Sequence, residues 1–269
     1  MNSNFSFERL FGLIRKQWIE NSRFYLLGSL ALFGLMAICM IIFWVLMDGD
    51  NYSESFAYNL YIIGLILTGT IYGSISFSIL GSKEKGQYWL SFPASHSEKL
   101  VTSIFYNVIL FFIVYTLSFL VVKWGCQTYI ESYIRTHKWA SIRPMNWEDG
   151  FGEVFYYIIW GYFCLQALFM LGSVYFRQYA FIKTAIFVSI IAGILTFFIA
   201  KISMNMFQGH GFFWNGLELR EHHVPDNYGI YKSYSLGTTL SKVLGYLLTY
   251  CWIPVFWLVT WYRLKEKEL

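Results

Sequence analysis

Six stretches of the chain, 24–47, 56–80, 100–122, 154–176, 184–200 and 243–262, contain no Asp, Glu, Lys, Arg or His. A helix rises about 1.5 Å per residue, so about 20 apolar residues cross the ~30 Å hydrocarbon core of a bilayer. Lipid offers no partner for backbone N–H and C=O groups, which forces such runs into helices. A membrane barrel would need short alternating segments instead. Composition agrees: 13% of residues are charged, against about 25% in soluble domains. The pattern predicts an all-α polytopic membrane protein with six transmembrane helices. Residues 1–23 lead into this domain, 24–262 form it, and 263–269 are a tail.

Six crossings put both termini on one side, and the basic residues choose it. Segments 1–23, 81–99, 177–183 and 263–269 hold 12 Lys and Arg in 56 positions, whereas 48–55, 123–153 and 201–242 hold 8 in 81. The denser set is expected in the cytoplasm, giving N-in and C-in topology with 123–153 and 201–242 as outer loops. Trp44, Trp124, Trp160, Trp252 and Tyr262 fall near span ends, where amphipathic rings settle. The net charge of +4 is too small to suggest a nucleic-acid partner. The first apolar run starts at Phe24, is too long for a signal-peptide core, and is followed by no small-residue cleavage site. Cys39, Cys164 and Cys251 sit in apolar runs and Cys126 in a polar one, with no CxxC pair, so they read as small apolar side chains.

The segment before the first span, FSFERLFGLIRKQWIENSRF, has helical spacing. Phe7, Leu10, Phe11, Ile14 and Trp18 share one face; Arg9, Gly12, Lys16, Glu20 and Arg23 share the other. A basic amphipathic helix of this kind is expected to lie along the membrane surface.

Between spans two and three stands SKEKGQYWLSFPASHSEKL, 82–100. Tyr88, Trp89, Leu90 and Phe92 form an aromatic patch beside Lys83, Glu84 and Lys85, and Pro93 interrupts any helix. Ser95 and Glu98 match the capping box, so a new helix should begin near His96. A minimal connection needs fewer residues. The stretch therefore reads either as a polar loop that holds the topology or as a docking element for a cytoplasmic partner.

Three pieces together resemble the membrane (permease) subunits of bacterial type-2 ATP-binding-cassette (ABC) exporters: FERLFGLIRKQWIENSRF before span one, LSFPASHSEKL, which is similar to the "LPAS…EK" loop of such permeases, and the basic ending WYRLKEKEL. The resemblance implies that the loop between spans two and three is a coupling helix seated in a separate ATPase. Lys83, Glu84, Tyr88, Trp89, Glu98 and Lys99 would be its contacts, and Arg177 in the short loop 177–183 a second one. It also implies an ABC ATPase partner that carries ATP and Mg, a second permease subunit (the same chain or a related one), a bacterial inner-membrane location, and short re-entrant helices between spans five and six.

Several absences bear on function. Ion-coupled transporters usually need ionisable groups within the membrane, haem proteins need axial ligands, and intramembrane metalloproteases need HExxH. The spans offer none of these, and no GxxxxGK[ST] phosphate loop exists to bind ATP. The chain is therefore expected to bind no cofactor and to perform no bond chemistry. Within span two, Gly69 and Gly73 form a GxxxG pair, and Thr70, Ser74 and Ser78 recur at four-residue spacing. Such a face serves helix packing within the chain, a subunit interface or the wall of a substrate path. Asn59, Asn107 and Gln166 are further polar groups in the spans.

In the outer loops, residues 123–153 suggest a small helix and a turn at Pro144, and GHGFFWNG, 209–216, an interfacial or re-entrant piece. His210, His222 and His223, with Glu221 or Asp226, match no standard metal spacing and read as solvated loop residues. The expected function is thus an ATP-driven exporter permease. The rivals are a membrane-integral assembly or sensory protein and a lipid-acting membrane enzyme.

Overall fold

The computed structural model describes residues 5–46, 51–82, 86–89, 93–136, 141–143, 151–176, 178–206, 212–215, 218–223, 230–235 and 238–267. Seven helices carry the described part of the fold: α1 (Phe7–Leu46), α2 (Glu54–Ile75), α3 (His96–Thr136), α4 (Phe151–Tyr175), α5 (Ala180–Met206), α6 (Thr238–Tyr250) and α7 (Trp252–Glu266). Five of them, α1 to α5, contain stretches long and apolar enough to cross a membrane.

The sixth apolar run is not one continuous helix. It divides at Cys251 into α6 and α7. Pro254 supplies the reason: it has no N–H to donate to the carbonyl four residues earlier, at Tyr250. The ladder resumes at once, with Val255 N donating to Cys251 O at 3.1 Å.

Nothing interrupts α1 where the amphipathic segment meets the first span. The helix runs through Phe24 over 40 residues, about 60 Å at ~1.5 Å per residue. The segment 1–23 therefore does not end before the first apolar run; its helix continues into it. Its packed face is also offset from the expected stripe. Leu10 is buried and Leu13 and Ile14 half-buried, while Phe7, Phe11 and Trp18 are exposed. The partner explains the offset, because this face meets the start of α3.

Helix α3 begins at His96, where the capping box places it: Glu98 N donates to Ser95 Oγ (3.2 Å) and Ser95 N to Glu98 Oε2 (2.9 Å). A π-helical turn, Phe105–Leu110, lies within it. It continues to Thr136, so the small helix expected after residue 123 is its extension.

In the bundle centre α2 packs on α4 through small residues. A Cβ at Gly69 would lie 2.5 Å from the Tyr162 ring, and one at Gly73 would lie 3.3 Å from the Gln166 carbonyl. Van der Waals packing at close approach is what holds helices together where lipid is as apolar as the side chains. Farther along, Tyr61, Leu65, Phe111, Tyr115 and Tyr162 fill the core between α2, α3 and α4.

The segments between the apolar helices carry short strands. β1 (Asn51–Ser53) pairs in parallel with β2 (Ser141–Arg143). β3 (Phe212–Asn215), β4 (Glu218–His223) and β5 (Ile230–Ser235) form an antiparallel sheet in that order, with Glu221 opposite Phe212 and Lys232. The described part of 201–242 thus holds a sheet in place of the expected re-entrant helices. ELREHH and IYKSYS are too polar to enter lipid, and Pro225, Asp226, Asn227 and Gly229 between them are turn formers.

Candidate functional site: the end of the bundle that carries Tyr88

Four distant pieces of chain meet at one end of the bundle. Phe77, after α2, packs with Leu100 and Val108 of α3, Met170 and Val174 of α4, and Leu264 of α7. Lys267 Nζ donates to Val174 O, and the Arg263 guanidinium lies 4.8 Å from the Tyr175 ring centre. The start of α1 joins them through Glu98.

Glu98 is 0% exposed. Its Oε1 accepts from Ser6 N at 2.8 Å and from Arg9 Nη2 at 3.1 Å, and its Oε2 accepts from Ser95 N. A buried carboxylate is tolerated only when its charge is matched and its lone pairs are filled, and these donors do both. The result is a latch. One side chain caps α3, holds the backbone just ahead of α1, and pairs with a basic residue of α1's first turns. Tyr106 adds a second tie, donating from its OH to Ile14 O at 2.7 Å while its ring stacks on Tyr25 at 5.1 Å.

The aromatic element sits on this latch. Residues 86–89 form one helical turn. The Trp89 ring meets Phe77 edge-on at 5.9 Å, and the Lys99 ammonium lies 5.2 Å from its centre. Tyr88 points outward and is 63% exposed, with Lys16 Nζ 5.1 Å from its ring centre. Trp89 anchors the turn; Tyr88 presents it.

The sequence-derived contact set is therefore divided. Glu98 and Lys99 are buried and do not belong to an exposed docking surface; the physical reason for Glu98 is that its oxygens are occupied within the chain. Tyr88 is exposed and Trp89 half-buried. Lys83, Glu84 and Arg177 lie outside the described residues. Tyr179, not among the expected contacts, has φ of 55°, the left-handed region that a tyrosine seldom adopts, and is exposed. Its carbonyl accepts from Lys183 N at 3.0 Å, so it holds the first turn of α5. Sequence spacing carries no signal for a positive φ at a tyrosine. Glu98 did carry one: the capping box already commits its carboxylate to a backbone amide.

The small-residue face of span two resolves toward intramolecular packing. Gly69 and Gly73 face α4. Thr70 and Ser74 are buried and donate to their own helix, at Ile66 O (2.7 Å) and Thr70 O (2.8 Å); Ser78 is exposed beyond the helix end. Gln166, fully buried on α4, donates to Asn107 O inside the π turn. A π turn shifts the hydrogen-bond ladder and frees a carbonyl for such a donor.

His222 and His223 are consecutive on β4, opposite Tyr231 and Ile230, while His210 and Asp226 lie outside the described residues. Among the described residues, no three His, Cys, Asp or Glu side chains converge as a metal site would require. The four cysteines are free thiols, and Cys251 is exposed rather than buried.

The chain matches no family model, no curated protein and no solved structure.

Proposed function

We propose that this chain is the permease subunit of an ATP-driven exporter, in which a separate ABC ATPase drives motion of the helices through the Tyr88 end of the bundle. On this reading α6 and α7 together make the sixth crossing, the Tyr88 end faces the cytoplasm, and the membrane is the bacterial inner membrane. ATP and Mg stay on the ATPase, and a second permease subunit completes the assembly. The observation that carries the reading is a surface aromatic, Tyr88, on a turn that meets Phe77 after α2 and Lys99 of α3 through Trp89, and Lys16 of α1 through Tyr88 itself. Force applied to that turn reaches three helices at once. The spans contain no ionisable group with which to power transport from within.

The test is reconstitution of the chain with its co-purifying ATPase. Tyr88→Ala and Tyr179→Gly, alone and together, should keep membrane insertion and thermal stability yet abolish stimulation of ATP hydrolysis by the permease. Recovery of the extracted chain without any ATP-hydrolysing partner, or full stimulation by the double variant, refutes the proposal.

A further inference from the structure

We infer that the cleft between α1 and α2 is a binding site for one anionic phospholipid, entered from the leaflet beside the Tyr88 end. The inference holds whether or not the chain works with an ATPase.

Two adjoining cavities, each of about 370 Å³, occupy the cleft, with α3 as their floor. They differ chemically: the first mixes polar and apolar walls, and the second is almost wholly apolar. The one nearer Tyr88 is lined by Lys16, Gln17 and Asn21 of α1, Ser76 and Ser78 after α2, and Lys99, Ser103 and Asn107 of α3. The other is lined by Leu26 and Leu32 of α1, Ile71 of α2, and Leu110 and Val114 of α3. Phe24, Tyr25, Tyr72 and Ile75 belong to both walls, so the cavities share a boundary. All three helices change from polar to apolar in the same direction. The apolar part extends from Phe24 to Leu32 on α1, about 12 Å at ~1.5 Å per residue.

A polar head chamber leading into an apolar slot matches one class of molecule, an amphiphile with a compact head and a chain. Charge selects within that class. In the head chamber's described lining two cations, Lys16 and Lys99, stand against one carboxylate, Glu20. Lys16 meets Glu20 at 3.8 Å and the Tyr88 ring at 5.1 Å, and Lys99 lies 5.2 Å from the Trp89 ring centre. Gln17, Asn21 and Asn107 each donate one amide N–H within the chain, to Tyr25 OH, Gln17 O and Ser103 O; an amide NH2 carries a second N–H that can meet a phosphate oxygen. A zwitterionic choline head would bring its own cation to a chamber lined by two lysines, whereas a phosphatidylglycerol-type head would not.

Gly28 lines the apolar slot, and a Cβ there would meet nothing within 4 Å. A side chain at this position therefore starts into open space at the wall of the slot. The experiment is native mass spectrometry of the full chain, extracted in neutral detergent and titrated with phosphatidylglycerol or phosphatidylcholine of identical acyl chains. One phosphatidylglycerol per chain should be retained in preference to phosphatidylcholine. Gly28→Trp should remove that retention with unchanged helicity and monodispersity. Lys16→Gln should reduce the preference about fivefold, the worth of one lysine at an anionic surface. Equal retention of both lipids, retention unaffected by Gly28→Trp, or binding of glycerol 3-phosphate as tight as that of the lipid would each overturn the inference.

Discussion

Helix α3 is fastened by an ion pair at 3.1 Å at two places, near its start and beyond its middle, and the two fastenings differ in kind. At the Tyr88 end, Glu98 is closed off from solvent and bound by two backbone amides as well as by Arg9. At the second place, beside the start of α2, Lys123 pairs with Glu54 and also meets Tyr58, donating to its OH at 3.0 Å with the ring centre 4.3 Å away; Gln127 donates to Glu54 at 2.7 Å. These four groups are all side chains, and both charges keep some contact with solvent. Backbone donors cannot change rotamer, so the first fastening locks α1 and α3 into one body. Side chains can re-form their bonds after small shifts, so the second tolerates relative motion of α2 and α3. A bundle built this way is stiff where Tyr88 is presented and compliant at the opposite end.

The largest test of this contrast is Glu98→Ala. It strands the Ser6 and Ser95 amides and costs about 3 kcal/mol, since each buried orphan costs ~1–3 kcal/mol. Thermal unfolding in detergent should show the loss. Arg9→Ala should cost clearly less, because the amides remain satisfied; equal losses would mean that the charge pair, not the backbone, carries the latch.

Next comes Gly69→Ala, which probes the middle of the bundle rather than either end. The added methyl meets the Tyr162 ring and should cost about 1–3 kcal/mol, the usual penalty of overpacking. The second substitution Tyr162→Phe should not relieve it, since the ring carbon itself is the obstacle.

Lys123→Ala should be milder, about 1 kcal/mol, as expected of a partly solvated pair whose carboxylate keeps another donor. A loss as large as that of Glu98→Ala would erase the distinction between the two ends.

The smallest effect should have the opposite sign. Tyr179→Gly relieves left-handed backbone at an exposed residue and should leave stability unchanged or raise it by up to about 1 kcal/mol. A clear loss of stability would show that the tyrosine side chain, rather than its backbone, organises the start of α5.

Uncharged runs about as long as a bilayer crossing favour helices, so the five apolar helices α1 to α5 were legible from residue order, as was the start of α3 at His96. These features depend on solvation and on hydrogen bonds within four residues, which local sequence encodes. The unbroken passage of α1 through Phe24 was less legible, because no breaker marks that boundary and charge alone suggested one. The division at Pro254 was written in the chain but masked by its hydropathy. The sheet β3–β5 lay in a segment whose glycines and aromatics suit several structures.

The site divides along the same line. By itself, the sequence determined that the long apolar runs are helical, that those runs carry no titratable groups, and that an aromatic, capped element separates the second run from the third. Tertiary structure alone decided that Glu98 is a latch rather than a contact, that Gly69 and Gly73 face α4 rather than another subunit, and that polar and apolar chambers adjoin between α1 and α2. Each of those outcomes depends on residues brought together from remote parts of the chain. Their spacing in sequence says nothing of which of them will meet.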